Sequence, residues 1–176
     1  SLLINRQKLV SNDILDIAEG QDGRIWIATG DGVNSFDPTR PGDAWEVLLP
    51  GKNMLGFDRV SGILPVSDGI WFTSDVEPQV VFQGETSQLI LTESKGISGR
   101  VMDSALDHRG YIWFATDQGV DIWDGVTIRS YGPTTGLAGN LYQSLLEVNE
   151  VMWVGTDKGL LRYDHAQWSV ALPEVS

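Results

Sequence analysis

Gly110-Tyr111-Ile112-Trp113-Phe114-Ala115-Thr116-Asp117-Gln118-Gly119-Val120 decides how this chain folds, because versions of it recur at Arg24-Ile25-Trp26-Ile27-Ala28-Thr29, Gly69-Ile70-Trp71-Phe72-Thr73-Ser74 and Val151-Met152-Trp153-Val154-Gly155-Thr156. The four tryptophans lie 45, 42 and 40 residues apart. Such a period marks a repeat architecture, in which a unit too thin to bury its own apolar face stacks on its neighbour.

Aligning the repeats on these tryptophans brings further segments into register. Before each lies a short apolar run (14–19, 60–66, 101–107, 141–147), then a turn rich in Gly, Asp, Asn or Ser. The tryptophan-bearing run is nearly all apolar or small, as expected of a strand covered on both faces. A second turn follows, and three of its four versions end in a glycine able to supply a positive φ: Gly32, Gly119 and Gly159. Third strands are expected at 33–37, 79–83, 120–124 and 160–164, and fourth strands at 45–49, 88–92, 127–131 and 167–172. No segment has a helical period. Four short antiparallel strands per ~42 residues, one of them centred on Trp, is the pattern of a β-propeller blade. The fold class read here is all-β, with four four-stranded antiparallel blades forming part of a larger ring or a ring completed by self-association.

The assigned boundaries are an outer strand of a preceding blade plus linker at 1–10, then blades at 11–52, 53–95, 96–136 and 137–176. Ser1 to Ile4 fall where the fourth strand of a preceding blade is expected, although 167–172 already supply the last blade's own fourth strand. This surplus and the absence of an initiating Met lead us to expect a portion of a longer protein. Exposed blade faces would then be covered by further blades or by another copy, so a homo-oligomer is an expected partner state.

A net charge of −12 argues against a nucleic-acid partner, since the 12 Lys and Arg are scattered in sequence. Without cysteine there is no disulfide framework and no thiolate chemistry. No run approaches the ~18 apolar residues of a membrane span, so no membrane contact is expected of this segment itself.

Asp22 to Val33, Arg109 to Val120 and Met152 to Asp164 closely resemble the two-component regulator propeller repeat, the last including that family's aromatic-Asp ending of the third strand. The second repeat departs from it at Ser74 to Gln79. The resemblance implies a periplasmic or extracellular sensor region of a bacterial histidine kinase or diguanylate cyclase, associated with carbohydrate or other small-molecule sensing.

Innermost propeller strands line a central channel, so residues entering them are candidates for ligand binding. Asp13, Arg59, Arg100 and Asn140 align at that entry, and Asp16, Asp103 and Gln143 lie further in, beside Gly62. Phe57 and Tyr142 are the aromatic candidates. Acids, bases and amides around one opening suit a polar ligand, a small molecule or oligosaccharide, or serve as turn residues and solvated walls. The recurrent Asp31, Asp75, Asp117 and Asp157 read as turn residues that bond amides two residues on. The tryptophans at 26, 71, 113 and 153 read as interblade packing, with Trp45 and Trp168 as anchors of the outer strand.

His108 and His165 occupy turns of different blade positions, so no metal and no cofactor is expected. The resulting expectation is a non-catalytic ligand-sensing propeller. Two alternatives stand beside it: a lyase resembling the streptogramin lyases, and a self-associating scaffold. Asp16 and Asp103 facing each other across a channel would be the acid/base pair of a glycosidase.

Overall fold

The computed structural model describes residues 9–40, 45–48, 58–84 and 88–173. Among the described residues, sixteen strands form four sheets. The first contains β1 (Ile14–Glu19), β2 (Ile25–Thr29), β3 (Gly32–Phe36) and β4 (Glu46–Leu48). The second contains β5 (Gly62–Val66), β6 (Gly69–Thr73), β7 (Gln79–Gly84) and β8 (Gln88–Thr92). The third contains β9 (Val101–Leu106), β10 (Ile112–Thr116), β11 (Val120–Trp123) and β12 (Ile128–Tyr131). The fourth contains β13 (Tyr142–Val148), β14 (Val151–Thr156), β15 (Gly159–Asp164) and β16 (Gln167–Pro173). Each sheet runs in sequence order, a four-stranded antiparallel meander of the kind that makes a propeller blade. The expected strands appear within a residue or two of their positions. Ser1 to Ile4 and Phe57 lie outside the described residues. Two single 3₁₀ turns, Glu93–Lys95 and Pro133–Thr135, lie in the connections after β8 and β12.

The chain divides into two compact units, 1–73 with 81–89 and 74–80 with 90–176. In the second, β10 is buried at every residue, which accounts for its continuous apolar run. Trp113 is fully buried and meets Tyr163 edge-on at 5.1 Å and Trp168 at 6.1 Å. Its ring thus packs into the following blade, together with Met152, Val154, Leu161 and Tyr142. In the first unit Trp26 plays the same part against Phe72, with ring centroids 5.9 Å apart. Trp168 belongs to the interblade core rather than only anchoring its strand, whereas Trp45 stacks on Phe36 of its own sheet at 4.6 Å.

The threonine closing each tryptophan strand shapes the next turn. Thr29, Thr116 and Thr156 donate their hydroxyls to the carbonyls of Gly32, Gly119 and Gly159 at 2.8, 3.0 and 2.9 Å. Gly32 and Gly159 adopt positive φ of 132° and 110°. Gly119 does not; there the Tyr131 carbonyl comes so close that no Cβ would fit.

Emptying the Trp113 site removes the largest fully buried side chain of the second unit. Trp113→Ala is expected to cost on the order of 3–5 kcal/mol, read as the loss of stability in urea unfolding. Trp45→Ala, at a partly exposed edge, should cost clearly less.

Candidate functional site

The inner-strand candidates occupy two kinds of place. Asp13 and Arg59 are brought together, Oδ2 to Nη1 at 3.0 Å. Arg100 instead pairs with Asp117, its Nε 2.7 Å from Oδ2, while its own backbone N–H reaches Oδ1 at 2.9 Å. The N–H groups of Asn140 and Leu141 likewise share Asp157 Oδ1. These bonds, the Asn140 amide first, hold the Asp157 carboxyl below its usual range. Asp117 and Asp157 are therefore structural, but they cap the entry to their own blade's inner strand rather than amides two residues on. That local task falls to the threonine hydroxyls, which accept from Asp31, Gln118 and Lys158 N–H.

Asp16 and Asp103 join neighbouring blades. Asp16 Oδ2 accepts Ile63 N–H at 2.8 Å, and Asp103 Oδ2 accepts Leu145 N–H at 2.7 Å. The other oxygen of each accepts the following residue's amide, Ile17 or Ser104. Both carboxylates are thus committed to backbone donors, one on the next inner strand and one on their own.

The pairing corrects the alignment of Gln143. A one-residue bulge interrupts the inner strands β1, β9 and β13 at their entry: Tyr142 pairs Thr156 and Ser144 pairs Gly155, so Gln143 sits in the bulge and Ser144 occupies the Asp16 and Asp103 position. A bulge adds a residue without leaving a trace in composition. Tyr142 is also corrected. It is fully buried in the interblade core, its hydroxyl directed to the carbonyls of Leu137 and Gly139, and so belongs to packing rather than to a ligand contact. Sequence reasoning missed Asn34 and Asp121, buried at one aligned third-strand position. They accept the Val10 and Ser98 amides at 2.9 and 2.7 Å and so fix the segments that lead into β1 and β9.

At the opposite ends of the inner strands, the hairpin turns enclose notches. In the second unit the notch has a volume of about 180 Å³ and is lined by turns of two successive blades. Asp107 occupies its floor. Asp107 Oδ2 accepts Trp113 Nε1–H at 2.9 Å and two Arg109 guanidinium N–H, and Oδ1 accepts the Arg109 and Tyr111 amides. Burial raises the Asp107 carboxyl, but Arg109, Trp113 and Tyr111 outweigh it and hold it below its ordinary value. Both histidines line this notch, although the sequence separates them by 57 residues. His108 Nδ1 lies 2.5 Å from Glu147 Oε1 across the blades, and His165 Nδ1 lies 2.5 Å from Asp164. The histidines are turn residues, as expected, but not isolated ones: the 107–110 turn carries His108 and the positive-φ turn His165-Ala166 carries His165 to one rim.

The equivalent notch of the first unit measures about 640 Å³ and is lined by Gly20 to Asp22, Trp26, Val66 to Ile70, Phe72, Gln83 and Gly84. Trp26 Nε1 is buried there with no hydrogen-bond partner among the described residues. Among those residues no group of three or more His, Asp or Glu could hold a metal ion.

The hydrogen bond to Glu147 raises the His108 pKa above its ordinary 6.5. A raised folded-state value means that the pair's stabilisation is complete below about pH 6.5 and is lost as pH rises through the folded value. Asp107, Glu150, Asp164 and His165 share the notch, so the diagnostic is the difference from His108→Gln. Between pH 5.5 and 8.5 the urea midpoint of the parent chain should fall towards that of the variant. Separately, Asp103→Ala, which strands the Leu145 amide, is expected to cost about 1–3 kcal/mol by the same measurement.

Residues 8–31 match the family described as Two component regulator propeller. Among solved structures, the extracellular domain of BT4673 from B. thetaiotaomicron, named a hybrid two component system, superimposes with a TM-score of 0.69 at 19% identity, over 88% of this chain and 22% of that one. The corresponding domain of BT3049 from the same organism gives 0.68 at 17% identity, over 92% and 23%. A streptogramin B lyase gives 0.72 at 16% identity, over 92% and 55%. No curated protein matches the chain. The chain thus spans under a quarter of the two sensor domains and about half of the lyase. Identities this low establish a shared fold, and the lyase shows that this fold also carries catalysis. The chain is an all-β propeller segment of four antiparallel blades, in which residues 8–31 match the two-component regulator propeller repeat.

Proposed function

We propose that this chain is the ligand-sensing part of an extracytoplasmic β-propeller from a bacterial signalling receptor, and that it acts without catalysis. The observation that carries this reading is the open first-unit notch. Its volume of about 640 Å³ falls in the range of small-molecule sites. It combines aromatic and aliphatic walls with a few polar groups, the usual division between binding area and orientation.

The carboxylates that an enzyme would need as acid and base are engaged elsewhere. Asp16 and Asp103 hold backbone amides of the next blade, and Asp107 holds an indole and a guanidinium. The similarity to extracellular domains of two-component systems supports the same reading, including a location outside the cytoplasm. Output would belong to parts of a parent protein beyond this chain.

Association with another copy is a second reading, favoured by the exposure of Leu146 and Leu172 at 62% and 63% on the first and last strands of the fourth sheet. Sedimentation velocity checks it: a concentration-dependent dimer supports association, and a monomer at every concentration contradicts it. For sensing, the measurement is the melting temperature against a library of soluble saccharides, amino acids and organic acids. At ligand near 100 times Kd the expected stabilisation is about 2.7 kcal/mol, a rise of several degrees. A flat response across the library overturns the sensing reading.

A further inference from the structure

Asn34 on β3 and Asp121 on β11 hold the same place in their sheets, and each gives one oxygen to the amide that leads into its inner strand. Neither residue is exposed. Each leaves its other terminal atom, Asn34 Nδ2 or Asp121 Oδ1, buried with no hydrogen-bond partner among the described residues. The two side chains share a shape, but the amide is neutral at every pH, whereas a carboxyl carries either a charge or a proton.

Counting hydrogens around the Asp121 carboxyl decides between these two states. Oδ2 accepts Ser98 N–H at 2.7 Å and lies 3.0 Å from Ser98 Oγ. Ser98 Oγ is also 3.0 Å from Thr116 Oγ1, but Thr116 already donates to the Gly119 carbonyl and accepts the Gln118 and Gly119 amides, so the Ser98 hydroxyl hydrogen goes to Asp121. Both donors therefore serve Oδ2. Opposite Asp121 on β12 stands Ser130, whose hydroxyl donates to the Gly96 carbonyl at 3.2 Å. Oδ1 receives no hydrogen, and a charge shared onto it would be buried without compensation.

No charged neighbour supplies that compensation. The charged groups on the elements around Asp121 are paired with others, Arg100 with Asp117 and Arg129 with Asp124. Burial is the largest influence on this carboxyl and raises it above the ordinary carboxylate range, against the opposing pull of the Ser130 and Ser98 groups. A proton on Oδ1 removes the charge and makes that atom a donor, as Nδ2 is in Asn34.

We infer that Asp121 carries a proton on Oδ1 in the folded chain, as the acid counterpart of Asn34, and that this proton latches the 96–100 segment, which opens when the proton is lost. An ionised Asp121 needs water, and β10 and β12 beside it are closed by strand pairing. The 96–100 segment is held more lightly: its Ser98 and Arg100 amides rest on the side chains of Asp121 and Asp117. It also carries Arg100 to the entry of β9, so the latch makes that entry responsive to pH. The device goes beyond the sensing reading and operates whether or not a ligand binds. Because an acid is raised here, the stabilisation is complete below the ordinary ~3.9 and is lost as pH rises through the folded value.

The test is an NMR titration of the carboxyl carbons of the ¹³C,¹⁵N-labelled chain from about pH 3 to about pH 8, with the Asp121 signal identified by its loss in Asp121→Asn. Its midpoint should lie at least ~1 pH unit above the ordinary ~3.9. Amide exchange gives the second readout. Between ~3.9 and that midpoint the Ser98 exchange rate of the parent, divided by that of Asp121→Asn, should rise about tenfold per pH unit and then level off, while the same ratio for the Phe114 amide of β10 stays constant. A midpoint nearer than that to ~3.9, or below it, overturns the inference. So does a Ser98 ratio that stays flat or is matched by Phe114. Asp121→Asn places at this position the residue that the first sheet already carries there; if it fails to fold, the Asp121 signal is assigned through its backbone and the midpoint of the parent decides.

Discussion

The indole of Trp113 is held from two directions, and the second unit depends on both. Its ring is enclosed by Tyr163 and Trp168 of the next blade, and its N–H is fixed by Asp107 of its own. Apolar burial supplies the attraction between sheets but is indifferent to direction. The hydrogen bond to a carboxylate, itself tied to Arg109 and two backbone amides, sets the orientation. A blade is one sheet thick and cannot bury a core by itself, so the fold exists only through contacts of this kind between neighbours.

Polar groups join the blades where the indoles do not reach. An inner-strand aspartate accepts the first regular amide of the following inner strand, Ile63 for Asp16 and Leu145 for Asp103. Buried Asn34 and Asp121 fix the segments that lead into β1 and β9. A propeller assembled in this way uses its carboxylates as joints, which explains why an acidic chain tolerates them near the inner strands. It also changes how its polar residues should be read: an aligned aspartate here is evidence of assembly before it is evidence of chemistry. Asp13 with Arg59 and Arg100 with Asp117 remain at the entry face as ion pairs, with their side chains partly exposed.

The repeats differ at the notches between blades. Where Asp107 precedes Trp113, its carboxylate holds the indole N–H and the notch between blades measures about 180 Å³. Where Gly20 takes that place, the same notch is open and its indole lacks an acceptor.

The sequence by itself determined the repeat, the strand order and the burial of Trp71 and Trp113, because these follow from local periodicity and from the inability of a single blade to hide its apolar faces. Interblade packing of Trp26 and Trp113 was legible for that reason, and so was the structural role of Asp117 and Asp157. Other properties were decided only by the tertiary structure. The bulge that moves Gln143 out of the Asp103 position depends on pairing register, and the burial of Tyr142 depends on the blade beside it. His108 and His165 share a rim because tight turns on different hairpins of successive blades reach the same notch. Periodicity specifies which residues face a neighbour, but only the packed sheets specify which residue of that neighbour each one meets.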